Sequence, residues 1–478
     1  MQYHRNRQKS FHSKKSHLKA NHNPSIKHEK ETLTSYAMST DGKAIARSED
    51  GIIVFVKDMI ENETAKVEIV HKKSNFKNAI ALKIENPSPH RVEPPCNYIS
   101  KCGGCQLQHI APEMQSVFKS RWFFETLKRI GKWDSTNINL SEKILSLIYL
   151  KKEHYRRRVR FHFNGKDLGF KENNSNNIVD ISHCLISSLK INEKIAFLKD
   201  NLSKAFNEIQ EKKFSRQMEC EIELTECDDE KVVLNIAQFN VDQEPNKEIC
   251  LTILEKYLTI QNEQIIHLKH PELPRFRLKK QSFIQPHMDC IALYYQHIKE
   301  AADEFLKSFI KSKSEKKQFI AWDLYSGAGI FTALPYFAGK RFDLNVQCFG
   351  VEGIKEAIDS LNNNCKNLPV TGIINNVEIF IDKEFKKKLE QPENYKEVDL
   401  LILDPPRAGS GIEAMQKIVE LCSKKSLVVY LACDPASFAR DTRVLLEGGF
   451  RLKNLNLFDA FGHTVHYEVL GCFERGNG

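Results

Sequence analysis

A cysteine at the end of an apolar run is the residue of this chain best suited to chemistry. Cys433 follows residues 427–432, a run typical of a buried strand, and precedes Asp434-Pro435, which would end that strand. A thiol there lies at the carboxyl edge of a sheet, where α/β proteins bind ligands. Cys433 is therefore predicted to be a nucleophile, and a buried core cysteine is the alternative. The segment 463–468, which ends in Glu468, offers a candidate base downstream.

A glycine-rich turn after another apolar strand predicts a cofactor pocket. Residues 323–329 read Asp-Leu-Tyr-Ser-Gly-Ala-Gly, and glycines such as Gly327 and Gly329 let the backbone approach a nucleotide closely. Glu352 ends the next predicted strand, where an acid can hold ribose hydroxyls. Thr332 stands where a dinucleotide fingerprint has its third glycine. The pattern indicates an adenosine-containing cofactor and leaves NAD and S-adenosylmethionine both open.

The segment Asp404-Pro405-Pro406-Arg407 favours methyl transfer over hydride transfer. It follows the apolar run 400–403, and two prolines build a rigid, extended rim at the strand end. The carboxylate of Asp404 can bind the edge of a planar base. A pair of prolines that merely stops a strand is the alternative.

Three cysteines within ten residues predict a metal site. Cys96, Cys102 and Cys105 are separated by five and two residues, and Cys184 is a plausible fourth ligand. Four thiolates suit zinc or an iron–sulfur cluster. The five-residue spacing is longer than that of usual zinc knuckles and favours the cluster.

The elements that must position these residues form several domains, because 478 residues exceed one ordinary domain. Residues 1–30 hold eight Lys or Arg and one acid, which predicts a disordered basic tail that contacts phosphates or merely solubilises the chain. Short strands over 31–90 predict a small β-barrel. Residues 91–280 read as a central α+β domain, and the strand–helix alternation of 281–478 as a Rossmann-like, doubly wound sheet.

Individual elements are predicted as well. A helix is expected over 115–130, and strands over 319–324, 348–352, 398–403 and 427–432. Helices are expected over 355–364 and 413–422. Residues 190–275 carry no motif that indicates a role.

The overall composition argues against a membrane-spanning or secreted protein. No apolar run approaches the roughly 20 residues of a membrane helix, and the basic N-terminus lacks the apolar core of a secretory signal. Thirteen cysteines, an odd number, suit a reducing compartment. We expect a cytoplasmic protein that is a monomer and does not contact a membrane.

Together these motifs resemble the bacterial RNA uracil-5 methyltransferases, in particular the 23S rRNA members with a TRAM domain and a 4Fe–4S cluster. The resemblance covers nearly everything after residue 30. The barrel is similar to TRAM, an OB-like fold, and Cys96, Cys102, Cys105 and Cys184 to the cluster ligands. Residues 283–285, 404–407, 433–441 and 463–468 are similar to the cofactor-contacting and catalytic motifs.

The resemblance implies roles for the residues that match it. It implies that Cys433 adds to C6 of uracil, that Glu468 removes the C5 proton and that Asp404 orients the base, with S-adenosylmethionine as methyl donor. The implied cofactor contacts are Gln285, Asp323, Tyr325, Gly327, Gly329, Glu352, Asp382 and Asp404. An accessible thiolate at neutral pH implies a lowered pKa of Cys433.

If the substrate is RNA, cationic side chains must bind its phosphates, and the target base must leave its stack to reach Cys433. Arg156, Arg157, Arg158, Arg160 and Arg407 are predicted to contact it, the first four as exposed residues of a strand that buries Val159, Phe161 and Phe163. A solvated charged strand is the alternative for the arginine run.

Five positions depart from the family pattern. His287 and Asp434 each replace a usual asparagine, Ile330 replaces an asparagine often found in the glycine-rich turn, Tyr467 replaces valine, and Asp382-Lys383 stands where an asparagine often contacts the cofactor. Three alternatives therefore stay open: a tRNA methyltransferase, a non-catalytic RNA-binding factor with a cluster, and an NAD-dependent oxidoreductase.

Overall fold

The computed structural model describes residues 29–133, 145–173, 175–258, 265–273, 276–279, 282–311 and 318–476. These form two compact units, one up to residue 88 and one from residue 89 onward that also includes residues 40–42. Residues 1–28 of the predicted basic tail lie outside the described residues.

The first unit is the predicted barrel. Its strands are β1 (Lys30–Met38), β2 (Ala44–Arg47), β3 (Ile53–Lys57), β4 (Thr64–Lys72) and β5 (Phe76–Asn86). They close in the order β1-β2-β3-β5-β4. Alternate residues such as Val54, Val56, Ala65 and Val67 point into the closed core and are fully buried. The prediction of a small barrel is confirmed.

The second unit contains the remaining elements. Its first strands are β6 (Leu145–Tyr149), β7 (Arg158–Phe163), β8 (Leu168–Lys171), β9 (Ile178–Asp180), β10 (Met218–Glu226), β11 (Val232–Val241), β12 (Ile265–Leu268) and β13 (Phe276–Lys279). The later strands are β14 (Phe319–Leu324), β15 (Val346–Glu352), β16 (Val370–Ile374), β17 (Val398–Leu403), β18 (Cys422–Ala432), β19 (Arg451–Asp459) and β20 (Glu468–Arg475). The helices are α1 (Pro112–Arg129), α2 (Leu189–Glu211), α3 (Lys247–Leu258), α4 (Cys290–Lys311), α5 (Leu334–Lys340), α6 (Lys355–Asn364), α7 (Val377–Glu390), α8 (Ile412–Leu421) and α9 (Pro435–Glu447).

An eight-stranded sheet in the order β16-β15-β14-β17-β18-β20-β19-β6 organises this unit. The strands from β16 to β18 run parallel, and β20 runs antiparallel between β18 and β19. Apolar cores cover both faces, as the buried parallel strands require. The predicted doubly wound sheet is confirmed, and β14, β17 and α6 have the predicted bounds.

The sheet includes residues from both sides of the boundary predicted at 281. β6 pairs in parallel with β19, and Phe123 and Leu127 of α1 belong to the core that β17 and β18 also form. An unpaired outer edge of β19 would leave its backbone groups without partners. Strand β6 covers that edge, so part of the predicted central domain is built into the C-terminal one.

The remainder of the central segment is a five-stranded sheet in the order β11-β10-β7-β8-β9. Val159, Phe161 and Phe163 of β7 are buried, as their alternation predicts, in a core shared with α2 and α3. The segment 190–275, which carried no interpretable motif, therefore supplies most of the elements that hold β7. In the part of the chain that is described, no helix has both the length and the apolar content to cross a membrane.

A buried ion cluster joins α1 to the end of β19. Lys119 and Asp459 are fully buried, and the Lys119 Nζ lies 2.6 Å from Asp459 Oδ1. Lys152 Nζ and Ser116 Oγ both contact the other carboxylate oxygen of Asp459. Two ammonium groups thus share one carboxylate in a place with little water. These two lysines hold the pKa of Asp459 below its ordinary value, although burial alone would raise it.

Replacing the shared carboxylate should weaken this unit strongly. Asp459→Asn leaves two buried ammonium groups without a counter-charge, and we expect the free energy of unfolding to fall by about 3–5 kcal/mol. Urea unfolding followed by circular dichroism measures it. The control is Asp200→Asn, which removes an exposed partner of Lys204 and should cost less than about 1 kcal/mol. Equal losses in the two variants would contradict a supporting role for the cluster.

Candidate active site

The nucleophile and base predicted from the sequence face each other across two strands. The ladder between β18 and β20 ends at the pair Ala432 and Val469, so Cys433 directly follows this pair on one strand and Glu468 directly precedes it on the other. The two groups lie close enough for the charge of Glu468 to raise the pKa of the Cys433 thiol. The antiparallel pairing of β18 and β20 therefore brings the thiol and the carboxyl group together at one end of these strands.

Asp404 joins them from the neighbouring strand. It directly follows β17, which pairs with β18 in parallel, and its backbone N–H donates to Leu324 O of β14 at 3.4 Å. Gln285 donates a side-chain hydrogen bond to the Asp404 carboxyl group. Asp404, Cys433 and Glu468 thus end or begin three adjacent strands.

The two carboxyl groups are close enough to influence each other. Glu468 is only 3% exposed. Its burial and the nearby Asp404 hold its pKa well above the ordinary value, against the opposite effect of Arg407. Loss of water around Asp404 raises its pKa to about 7, and the bond from Gln285 opposes that rise. Asp404 can therefore hold and release a proton near neutral pH, and the raised pKa of Glu468 favours its protonated form.

The expectation of a lowered Cys433 pKa is wrong for the protein described here. Burial, followed by the charges of Glu468 and Asp404, raises the pKa of the half-buried Cys433 to about 11. Arg407 acts in the opposite direction and is outweighed. The thiol is therefore the dominant form at neutral pH in this arrangement.

The glycine-rich turn is built at the end of β14. Asp323 is buried and accepts a hydrogen bond from Thr332 Oγ1 at 2.5 Å, while burial raises its pKa to about 7. Gly329 has φ +89°, and a Cβ there would lie 2.7 Å from Leu361 Cγ. Tyr325 also adopts a positive φ, +62°. The turn thus requires glycine at position 329 and holds a strained tyrosine.

Glu352 closes this turn from the next strand. One of its carboxylate oxygens accepts from Gly327 N at 3.3 Å and the other from Ile354 N at 3.0 Å. Ser326 was missed by sequence reasoning. Its Oγ is buried and has no hydrogen-bond partner among the described residues, and its place inside the glycine-rich turn was the signal that could have revealed it. A buried, unpartnered hydroxyl suits a polar ligand.

Asp382 already has an ion-pair partner. It lies half exposed in the second turn of α7, and its carboxylate pairs with Lys417 of α8 at 2.7 Å. The same helix contacts the glycine-rich turn one helical turn earlier, where Glu378 accepts a hydrogen bond from Tyr325 Oη at 2.9 Å. A cofactor contact of Asp382 stays a prediction.

Three departures from the family pattern have structural roles. Asp434 caps α9, since its side chain accepts a hydrogen bond from Ser437 N at 2.7 Å. His287 is fully buried and stacks on Tyr155 with ring centroids 4.9 Å apart. Tyr467 packs edge-on against Phe123 of α1. Each of these side chains fills a position in the scaffold around the site.

The loop that carries Arg407 is held by a residue on α9. The buried Asp441 accepts from Ser410 N at 2.8 Å, from Tyr430 Oη at 2.6 Å and from Arg440. Gly409 has φ +72° and approaches Asp441 so closely that a Cβ there would lie 2.4 Å from Oδ2. Asp441 thus fixes the course of the chain beyond Arg407, which itself is exposed.

The four predicted metal-ligating cysteines gather around one cavity of about 150 Å³. Burial and the charges of the other three thiols raise the pKa of Cys105 to about 12. Gly103 lies against the backbone of Lys171, where a Cβ would be 3.2 Å from the carbonyl oxygen. Among the described residues, no set of three or more His, Cys, Asp or Glu side chains is arranged around a single metal ion.

The arginine run is largely paired, contrary to the prediction of four exposed side chains. Arg157 is buried, contacts Asp228 and donates from Nε to Glu226 O at 3.2 Å. Arg158 pairs with Glu223 at 2.6 Å, because the antiparallel neighbour β10 places acids opposite the basic residues of β7. Arg160 is exposed although it also pairs with Glu223.

Arg156 is half-buried and its Nε donates to Arg158 O at 3.1 Å. It lines the four-cysteine cavity together with Arg160. Arg160 and Arg407 are thus exposed, Arg156 and Arg158 are half-buried, and Arg157 is the buried member of the predicted set.

Comparison with known proteins places this geometry in a family. The family model described as tRNA (uracil-5-)-methyltransferase matches residues 132–475. The chain is 28% identical to the 23S rRNA (uracil(1939)-C(5))-methyltransferase of Shewanella woodyi, over 91% of this chain and 93% of that protein. It is 29% identical to the protein of the same description from Pectobacterium atrosepticum, over 94% of each chain.

A solved structure shares the fold. The tRNA (uracil-54, C5)-methyltransferase of Pyrococcus abyssi, solved in complex with S-adenosyl-L-homocysteine, superposes with a TM-score of 0.63 at 19% identity. The match covers 92% of this chain and 99% of that one.

The raised pKa of Cys433 predicts a steep pH dependence of its reactivity. Because the pKa is about 11, the thiolate fraction should rise about tenfold per pH unit between about pH 7 and 9. Alkylation by iodoacetamide, followed by mass spectrometry of the Cys433 peptide, measures this directly. Arg407→Gln removes the charge that lowers the pKa and should slow alkylation at every pH. A rate that levels off below pH 8 would contradict the predicted pKa.

Proposed function

The chain belongs to the tRNA (uracil-5-)-methyltransferase family, and we propose that it methylates C5 of a specific uridine in 23S rRNA with S-adenosylmethionine as methyl donor. The observation that carries the proposal is the proximity of Cys433, Glu468 and Asp404 at the adjoining ends of β18, β20 and β17, where both carboxyl groups influence the thiol. A nucleophile and a base at one point, next to a glycine-rich turn, are the groups this reaction needs.

Cys433 performs the first step. C5 of uracil is a poor nucleophile, and addition of the Cys433 thiolate to C6 moves the C5–C6 electron pair onto the ring as an enolate. C5 of that enolate then forms a bond to the methyl carbon, whose bond to the donor sulfur breaks. S-adenosylmethionine supplies an electrophilic methyl group on a cationic sulfonium, which becomes neutral S-adenosylhomocysteine.

Glu468 performs the second step. Its carboxylate takes the proton from C5, the released electron pair restores the C5–C6 double bond, and the bond from C6 to Cys433 breaks to return the thiolate. The burial that raises the Glu468 pKa makes its carboxylate a stronger base than an exposed one. Asp404, whose pKa is also raised, orients the base edge by accepting or donating a hydrogen bond.

The residues around the glycine-rich turn fit an adenosyl donor. Gln285, Asp323, Tyr325, Gly327, Gly329, Glu352 and Asp404 are the proposed contacts, with Ser326 added from its buried, unpartnered hydroxyl. A Cβ at Gly327 would meet nothing within 4 Å, so the space in front of this backbone is open. The acid at the end of β15 is placed to bind ribose hydroxyls.

We propose that Cys96, Cys102, Cys105 and Cys184 hold a 4Fe–4S cluster. The charges of neighbouring thiols help to raise the pKa of Cys102 and Cys105, and a cationic group would stabilise such a set of thiolates. They come from separate parts of the chain and line one cavity. A cluster bound there would cross-link these segments and assist the fold of the central sheet.

RNA contacts are proposed for the barrel as a TRAM domain and for the accessible arginines Arg156, Arg160 and Arg407. Phe283 adds an aromatic face, since it is 65% exposed two residues before Gln285 and can stack on an unpaired base. The reaction is placed in the cytoplasm, because the thirteen free thiols suit a reducing compartment.

Transfer RNA is the second candidate substrate. The family model and the Pyrococcus abyssi structure carry tRNA in their descriptions. Relatives with 28–29% identity over more than nine-tenths of this chain are described as 23S rRNA enzymes, and they favour rRNA. The opposed Cys433 and Glu468 argue against a non-catalytic RNA-binding factor.

Methyl transfer from labelled S-adenosylmethionine to 23S rRNA and to bulk tRNA tests the proposal. Both RNAs are taken from cells that lack 5-methyluridine and are digested to nucleosides afterwards. We expect labelled 5-methyluridine from 23S rRNA with the wild type and none with Cys433→Ala. Label in tRNA alone would select the second candidate, and label from neither RNA would contradict the proposed reaction.

Iron content tests the proposed cluster. The wild-type protein, purified without oxygen, is expected to carry iron and acid-labile sulfide and to absorb broadly in the visible region. Cys105→Ser should lose most of both, since it removes one of four ligands. Cys220→Ser, which changes a buried thiol of β10 away from the cavity, serves as the control. Full iron content in Cys105→Ser would exclude this ligand set.

A further inference from the structure

The loop between β19 and β20 is fixed by hydrogen bonds from residues that lie elsewhere in the chain. This catalytic loop, residues 460–467, leads directly into Glu468. Lys119 Nζ donates to Phe461 O at 3.0 Å, and Tyr155 Oη donates to Gly462 O at 3.1 Å. Three consecutive carbonyl groups of the loop, at 461, 462 and 463, accept hydrogen bonds from residues far away in the sequence.

His463 is the most constrained residue of the catalytic loop. It is 3% exposed and has φ +67°, a region that costs a residue other than glycine on the order of 1 kcal/mol. Its carbonyl accepts from Gln106 N at 3.0 Å and from Leu107 N at 2.9 Å. Its N–H donates to Gln115 Oε1 at 2.8 Å. The strained conformation is therefore imposed by the residues that surround it.

Two glutamines link this loop by hydrogen bonds to residues 96–110, the cysteine segment, which contains Cys96, Cys102 and Cys105. Gln115 is fully buried, and its Nε2 donates to Leu107 O at 3.0 Å and to Ile110 O at 2.9 Å. The same side chain therefore bonds the catalytic loop through Oε1 and the cysteine segment through Nε2.

Gln106 makes a second connection. Its Nε2 donates to Gly103 O at 2.9 Å, between Cys102 and Cys105 in the chain, and its Oε1 accepts from Val465 N at 3.4 Å. We call Gln106 and Gln115 the amide clamp. A short path of hydrogen bonds thus runs from the four-cysteine cavity to the loop that ends at Glu468.

We propose that the amide clamp positions Glu468 for removal of the C5 proton and transmits the geometry of the four-cysteine site to the active site. This inference rests on the proposed function. Neither glutamine touches the reacting atoms in this scheme, so both are positioning residues. They act through the backbone of the catalytic loop.

The clamp should affect the base far more than the nucleophile. Cys433 is held by β18 and by the helix that Asp434 caps, and no bond of the clamp reaches that strand among the described residues. Glu468 enters the site from the catalytic loop. A loosened clamp therefore leaves thiolate addition and methyl transfer largely intact and slows proton removal.

That selectivity has a chemical signature. Until the C5 proton leaves, the bond between Cys433 and C6 cannot break, so a misdirected base leaves methylated RNA attached to the protein. With a labelled methyl group, the attached species appears as a labelled protein–RNA band on a denaturing gel. A variant that is merely unstable would lose the band and the free product together.

The test compares Gln115→Leu and Gln106→Leu with the wild type in single-turnover reactions. Each change removes the amide and keeps similar volume, and Gln106→Leu decides the question if Gln115→Leu does not fold. We expect release of 5-methyluridine to slow roughly 10- to 100-fold while the labelled band accumulates. Cofactor binding and the thermal unfolding midpoint should stay near the wild-type values in Gln106→Leu.

Gln210→Leu is the matched control. It removes an exposed glutamine amide of α2 whose bond, to Arg216 O at 3.4 Å, lies in the central sheet region, and it should behave like the wild type. Cys105→Ser tests the transmission and should accumulate the same labelled band as its iron is lost.

Two results would overturn the inference. Folded clamp variants that release product at the wild-type rate would show that the clamp does not position the base. Product loss without any labelled band would show that it acts on an earlier step. A wild type that methylates neither RNA would instead contradict the proposed function, so the two failures are distinguishable.

Discussion

The antiparallel pairing of β20 with β18 is the constraint on which the active site depends. It brings Cys433, which follows Ala432, and Glu468, which precedes Val469, to the same end of the ladder, and the parallel pairing of β17 with β18 brings Asp404 beside them. Inserting an antiparallel strand at the edge of a parallel sheet reverses the chain direction there. The carboxyl ends of β17 and β18 and the amino end of β20 therefore meet at one edge, and the chemistry is assembled from both chain directions.

That proximity creates an electrostatic conflict which the reaction can use. Two carboxyl groups and a thiol share a poorly hydrated space, where Asp404 raises the pKa of Glu468 and both carboxyl groups raise the pKa of Cys433. Arg407 is the nearby cation that opposes this effect. These effects favour the protonated thiol and carboxyl groups, whereas a bound cationic methyl donor would favour the thiolate and carboxylate that the proposed reaction requires. The burial that disfavours thiolate formation also raises the proton affinity of Glu468, the proposed base.

Residues from both sides of the domain boundary predicted at 281 contact each other around the site. α1 and β6 belong to the C-terminal sheet, Asp459 shares its charge between Lys119 and Lys152, and the catalytic loop is bonded to the segment that follows the cysteines. Residues that depart from the family pattern, such as His287 and Tyr467, contribute packing to this region. The four-cysteine cavity and the active site are consequently parts of one hydrogen-bonded scaffold.

The sequence by itself predicted the barrel, the parallel strands with their helices, and the group of four cysteines. It also identified Asp404, Cys433 and Glu468 as candidates. Hydrophobic periodicity, apolar runs and short motifs are properties of residues that are neighbours in the chain, so they can be recognised without the fold. Tertiary structure decided what depends on distant pairing. The acids of β10 neutralise Arg158, Arg157 is buried against Asp228, and Asp382 pairs with Lys417 of another helix. The raised pKa of Cys433 belongs to the same class, since it arises from carboxyl groups on other strands. No spacing along the chain encodes which side chains will face each other across a sheet, so these properties appeared only with the fold.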